Sequence, residues 1–192
     1  MGDAPVRWLL PRNQRLPAHL YETFGRPCAF TVRIAPGTAP FVRPALARLA
    51  VRCLLEQRIT SGCQLEVYCV MPDHLHIVVS RADDGTSSLR FVDRFKGWHS
   101  RVARQAGAQG PLWQPRSYDH VLRTHQDLHR VADSIMANPI RRGLCDHIEE
   151  YPWSGIPQPI AFAPVESTFT SSRWYKAPYV PMPPDWPLQS AG

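Results

Sequence analysis

An α+β domain, an antiparallel sheet covered by helices, is the fold class that this 192-residue sequence predicts. Two β-branched-rich runs, "CQLEVYCV" (63–70) and "HLHIVVS" (74–80), are parted only by Met71-Pro72-Asp73, a tight connection that suits a hairpin. Amphipathic helical patterns stand on both sides of that hairpin. The resulting order, strand, helix, strand, strand, helix, strand, helix, favours an antiparallel sheet over a doubly wound parallel one. The length suits one domain with a substantial core and does not call for two.

Taken in chain order, the first two dozen residues, with Pro5, Pro11 and Pro17, read as an extended arm. "CAFTVRIA" (28–35) alternates as a strand does, and "APGTAP" breaks it. "PALARLAVRCLLEQRI" (44–59) is helical: Pro44 suits a first turn, Leu46, Leu49, Ala50, Cys53, Leu54 and Gln57 keep helical spacing, and Gly62 is the stop. After the hairpin, Ser87 or Ser88 caps a second helix whose inner face is Leu89, Val92, Phe95, Trp98 or His99, and Val102. Arg90, Arg94, Arg101 and Arg104 gather on another face, as a solvated surface or as a track for a polyanion. "PLWQPRSYDHVLR" (111–123) reads as a loop and then a strand. The last helix starts near Thr124, turns Leu128, Val131 and Ile135 inward, and kinks or ends at Asn138-Pro139, with Gly143 closing the segment. From Cys145 the chain is rich in Pro and Trp, and 9 of its 20 prolines follow position 151. Residues 1–150 therefore form the expected domain with its arm, and 151–192 an irregular tail.

Residues 1–144 hold 20 of the 22 Lys and Arg and 11 of the 16 Asp and Glu, a net +9 against −3 for the remainder. Nearly all the cations are arginines, whose planar fork suits phosphate. No apolar run approaches the roughly 18 residues of a membrane span, and Trp8-Leu9-Leu10 is too short an apolar centre for a secretory signal. The five cysteines are odd in number and include no C-x-x-C pair, which argues against a disulfide framework or a zinc ribbon and fits a reducing cytoplasm.

One feature of the hairpin is out of place in a core. In "YCVMPDHLHIVVS" (68–80), His74 and His76 project from one face of their strand while Leu75 and Ile77 take the other. Two neighbouring imidazoles can hold one divalent cation, or can be hydrogen-bonded structural histidines; spacing alone leaves both open. Their position at the start of the strand, beside Met71-Pro72-Asp73, is a rim that a ligand could reach.

"YCVMPDHLHIVV", "LWQPRSYDHVLR", "DSIMANPIRRGL" and "YPWS", in this order and spacing, strongly resemble the REP-associated tyrosine transposases, a group of HUH-type single-strand transposases. The resemblance spans about Arg15 to Ser154. It implies a ferredoxin-like antiparallel sheet with helices packed on it, and cutting and rejoining of single-stranded DNA near REP-like hairpins. It implies a divalent cation, Mg²⁺ or Mn²⁺, held by His74, His76 and Asn138, and a partner that is hairpin-containing single-stranded DNA, with no membrane, in a monomer or homodimer. The group's tyrosine nucleophile stands four residues before the third ligand, one helical turn away. Here that position is Ser134, which reaches about 4 Å less far from its Cα than a tyrosine does. Tyr118 is an alternative hydroxyl, with packing as its other reading. Asp119 and His120 are candidates to orient a ligand or touch DNA. Arg90, Arg94, Arg101, Arg116 and Arg123 are the candidate phosphate contacts, and Trp174 and Tyr175 either stack on bases or anchor the tail. Two functions follow: a metal-dependent single-strand endonuclease or transposase, or a binding module that recognises the hairpin without joining it covalently.

Overall fold

The computed structural model describes residues 16–82, 84–123 and 125–157. Five strands, β1 (Pro27–Arg33), β2 (Cys63–Met71), β3 (His74–Arg81), β4 (Tyr118–Val121) and β5 (Ser154–Gly155), form one sheet in the order β4-β1-β3-β2-β5. Every pairing among these five strands is antiparallel. Without β5, the order β4-β1-β3-β2 is that of a ferredoxin-like sheet, as the sequence led us to expect.

Helices cover both faces, and the strand alternation decides which residues meet which helix. On one face, Phe30, Val32, Leu75, Ile77 and Val79 pack against α2 (Pro44–Ser61) and α3 (Ser88–Gln105), which supply Leu46, Leu49, Leu54, Phe91 and Phe95. On the other, Ala29, Val67, Cys69, Met71 and Val78 meet Leu128, Val131, Ala132, Ile135 and Met136 of α4 (His125–Met136). Each large side chain so buried contributes about 1.5–3 kcal/mol. Leu75 and Ile77 thus lie in the α2/α3 layer, and His74 and His76, which alternate with them, belong to the α4 side.

Helix limits follow local chemistry. Pro44 opens α2, and Gly62 ends it with φ of 64°, a left-handed conformation that suits glycine. Ser87 caps α3 by accepting from the Arg90 amide at 3.3 Å. His99, rather than Trp98, is the buried member of the α3 face. It lies among Phe41, Phe95 and Trp113, with ring centroids 5.4–5.8 Å away.

Two features differ from the sequence expectation, and the end of α4 beside Asn138-Pro139 meets it. The arm contains a single-turn helix, α1 (His19–Glu22), whose Tyr21 is buried and donates to Asp119 at 2.5 Å; four residues are too few for periodicity to register. α4 stops at Met136 and Asn138–Arg141 forms a separate turn, α5, because Pro139 cannot continue the ladder. The irregular tail supplies the fifth strand: Tyr68 and Cys69 pair with Gly155 and Ser154, the Val70 amide donates to the Trp153 carbonyl at 2.8 Å, and the Tyr151 hydroxyl donates to the Val70 carbonyl at 2.7 Å. Residues 158–192, including Trp174 and Tyr175, lie outside the described residues, as do residues 1–15. Among the described residues no helix is long and apolar enough to cross a membrane. Four of the five cysteines are buried and all are unbridged.

Candidate metal and phosphate site

The β2–β3 turn delivers His74 and His76 to the first and third positions of β3, on the α4 face of the sheet. Register fixes their neighbours: His74 stands between Arg33 of β1 and Met71 of β2, and His76 between Thr31 and Cys69. The two rings meet edge to face, with centroids 4.6 Å apart and planes at 88°. Their Nε2 atoms are 3.0 Å apart.

Each imidazole is held from behind. The Asp73 carboxylate lies 2.7 Å from His74 Nδ1. A carboxylate only accepts, so that nitrogen carries the proton and Nε2 of the neutral ring presents a lone pair. Thr31 Oγ1 lies 3.0 Å from His76 Nδ1, and a hydroxyl can serve there as donor or acceptor. When Thr31 donates, His76 keeps its proton on Nε2 and gives it to His74. When Thr31 accepts, both Nε2 lone pairs face the same point, an arrangement that suits a bound cation. Burial lowers the His74 pKa despite the carboxylate beside it, and burial with the neighbouring ring brings that of His76 down to about 3. Both rings are therefore neutral near pH 7, the form that ligates metal.

The spacing fits a metal. A cation about 2.1 Å from each of two nitrogens 3.0 Å apart subtends about 90°, the cis angle of an octahedron. Among the described residues no three His, Cys, Asp or Glu side chains converge, so a third protein ligand has to be of another type. Asn138 is the sequence candidate. Its amide NH₂ donates to the Ser134 and Ile135 carbonyls at 3.2 and 3.1 Å, which satisfies open carbonyls at the end of α4. Its Oδ1 accepts from Arg141 Nη2 at 2.8 Å and keeps a second lone pair. The same Nη2 donates to the Ser134 carbonyl at 2.7 Å, so Arg141 ties the two positions together.

Three arginines, and the Asp73 carboxylate with opposite sign, act on the pair. Beyond burial and the histidines' mutual effect, Arg141 and Arg33 oppose protonation of His76, and Arg142 and Arg33 that of His74. All three arginines are exposed. Tyr118 is exposed as well and shares the cross-strand row of His76, with Thr31 between them.

The structure therefore brings His74 and His76 together and locks Asn138 to Ser134 at the end of the helix that covers their face. It places Arg90, Arg94 and Arg101 on α3, which packs on the opposite face; Arg94 and Arg101 line a shallow groove with Trp98, Gln57 and Thr60. Arg116 and Arg123 flank β4, both exposed. Sequence reasoning missed Thr31, Arg33, Asp73, Arg141 and Arg142. One signal was available: Thr31 and Arg33 are polar at alternate positions of an otherwise apolar strand, which marks an open patch on one face.

No protein-family model matches the chain. The chain is similar to a REP-associated tyrosine transposase of Escherichia coli K12, 25% identical over 100 residues, or 51% of this chain and 57% of that one. A second curated relative, from Haemophilus influenzae, is 24% identical over 96 residues, or 45% of this chain and 54% of its own length. The chain thus spans a little over half the length of the curated relatives that it matches. Among solved structures it is similar to a REP-associated tyrosine transposase bound to a REP hairpin, with a TM-score of 0.62 and 16% identity over 76% of this chain and 82% of that one. The resemblance to REP-associated tyrosine transposases is thus met again in the sequence of a curated relative, and the fold is shared with that solved structure.

Proposed function

We propose that this chain binds hairpin-bearing single-stranded DNA and presents one of its phosphodiesters to a divalent cation, Mg²⁺ or Mn²⁺, held by His74, His76 and Asn138. The observation that carries the reading is the pair of Nε2 atoms 3.0 Å apart on one sheet face, with Arg33, Arg141 and Arg142 within electrostatic reach. The hairpin enters through the similarity to a transposase described as bound to one.

The chain's own groups have separable tasks. Asp73 and Thr31 fix the two imidazoles so that the nitrogens converge. Arg33, Arg141 and Arg142 supply the positive potential that draws a phosphodiester to this face, and Arg141 also sets the direction of the Asn138 amide. A bound divalent cation supplies Lewis acidity at a non-bridging phosphate oxygen. Ser134 is a turn from Asn138, and its shorter reach leaves the position expected of a tyrosine nucleophile without a phenol.

A second reading has its own support. Ser134 at that position favours a module that holds the hairpin without covalent strand transfer. One incubation separates the two. With a labelled REP-type hairpin carrying a single-stranded flank, and Mn²⁺, a free nick indicates hydrolysis by water and a shifted complex alone indicates the module. The Ser134→Tyr variant is expected to gain a protein–DNA adduct that survives denaturation. Absence of that adduct from a folded, DNA-binding variant would contradict the assignment of Ser134 to the nucleophile position.

A further inference from the structure

We propose that Arg33 and Tyr118 form a stacking platform for an unpaired base of the strand whose phosphodiester lies at the histidine pair. This inference rests on the proposed single-strand DNA binding and says how the strand is held there.

The geometry comes from the register. Thr31 stands opposite both His76 and Tyr118, so the tyrosine occupies the same row and the same face as the histidine, two strand spacings or about 10 Å away. Arg33 stands opposite His74 and turns its guanidinium over the Tyr118 ring, 5.1 Å from the centroid. Phosphate site and aromatic surface are therefore parts of one patch, about 10 Å apart.

Folding does not account for the aromatic ring. The next row of this face, Ala29, Val67 and Val78, is covered by α4, whereas Tyr118 is 39% exposed on an edge strand. An exposed cation–π contact contributes only about 0.5–1 kcal/mol. A flat ring held by an arginine beside a phosphate site has the composition of a single-strand groove, in which aromatic faces take bases of any sequence and the guanidinium takes stacking and backbone charge together.

The test is binding in EDTA, which removes cleavage from the readout. A hairpin oligonucleotide with a single-stranded flank carries 2-aminopurine at successive flank positions, and anisotropy gives Kd. Wild type is expected to quench one or two neighbouring positions. Tyr118→Phe keeps the quench and binds within about twofold of wild type, because stacking needs the ring and not the hydroxyl. Tyr118→Ala loses the quench and weakens the flanked hairpin by about 5- to 100-fold, with the flankless hairpin unchanged. Wild-type affinity and quench in Tyr118→Ala would overturn the platform and leave the proposed function standing. Equal weakening of flanked and flankless hairpins, or loss of the quench in Tyr118→Phe, would also overturn it. Failure of the wild-type protein to bind the flanked hairpin would instead remove the proposed function, and the platform with it.

Discussion

Asp73 and Thr31 show how much of a site can lie behind the residues that name it. Each fixes the far nitrogen of one imidazole, at 2.7 and 3.0 Å, so that the Nε2 atoms converge. Losing such a partner commonly lowers metal affinity 10- to 100-fold. Asp73→Ala is therefore expected to weaken Mn²⁺ binding by about that factor, measured by calorimetry or by the Mn²⁺ paramagnetic signal, with thermal stability nearly unchanged because Asp73 is exposed. His99 is the opposite case, a histidine without a ligand role. It is fully buried, and both ring nitrogens lack hydrogen-bond partners; the Leu46 backbone lies alongside without hydrogen-bond geometry. Burial lowers its pKa to about 4 from an ordinary 6.5. The unfolded chain then binds the proton more readily, so the stability that the neutral ring contributes is complete above pH 6.5 and declines as pH falls towards 4, by about 3 kcal/mol in all. His76, with a pKa of about 3, adds to the same acid decline. His99→Phe should flatten the decline between pH 6.5 and 4 in urea unfolding series, and an unchanged slope would show that the ring is not held neutral.

At the scale of elements, α4 matters for what it leaves uncovered. It seals Ala29, Val67 and Val78 and stops at Met136, where Asn138 and Arg141 finish it. The strand rows beyond, with the histidines, Thr31, Arg33 and Tyr118, carry the candidate site. At the junction between α2 and the loop before α3 the backbone of Gly85 lies close against that of Gly62. A Cβ on Gly85 would meet the Gly62 carbonyl oxygen at 2.1 Å, at a place where Ala82 and Thr86 donate to Gly62 and Ser61 at 3.2 and 2.9 Å. Gly85→Ala is expected to cost about 2–3 kcal/mol in equilibrium urea unfolding while Mn²⁺ affinity holds, because the junction belongs to the α2/α3 layer. Elements with many residues were legible in the sequence: both long helices and the central hairpin carry full periods of apolar residues. α1 and β5 were not, since four residues and two residues hold no period, and β5 is placed by Tyr151 and Trp153 bonding to Val70.

For the whole molecule, the sequence pattern singled out the same-face histidine pair and one group of arginines, and tertiary structure brings a different group of arginines near the pair. Arg90, Arg94 and Arg101 drew attention because four arginines on one helix make a visible stripe, yet α3 packs on the far side from the histidines. Arg33, Arg141 and Arg142 come from a strand end and a separate turn, and only tertiary pairing makes them neighbours of the same two rings. The Asn-Pro motif made Asn138 a candidate in the sequence, and its bond with Arg141 was not visible there. The proposed function requires a cation and a DNA strand to meet at one face. The most direct test is the affinity of the protein for a REP-type hairpin with a single-stranded flank, measured with and without Mn²⁺ for wild type and for His76→Ala. We expect Mn²⁺ to tighten wild-type binding and to have no effect on the variant. Equal affinity with and without Mn²⁺ in wild type, or the same gain in His76→Ala, would contradict the account.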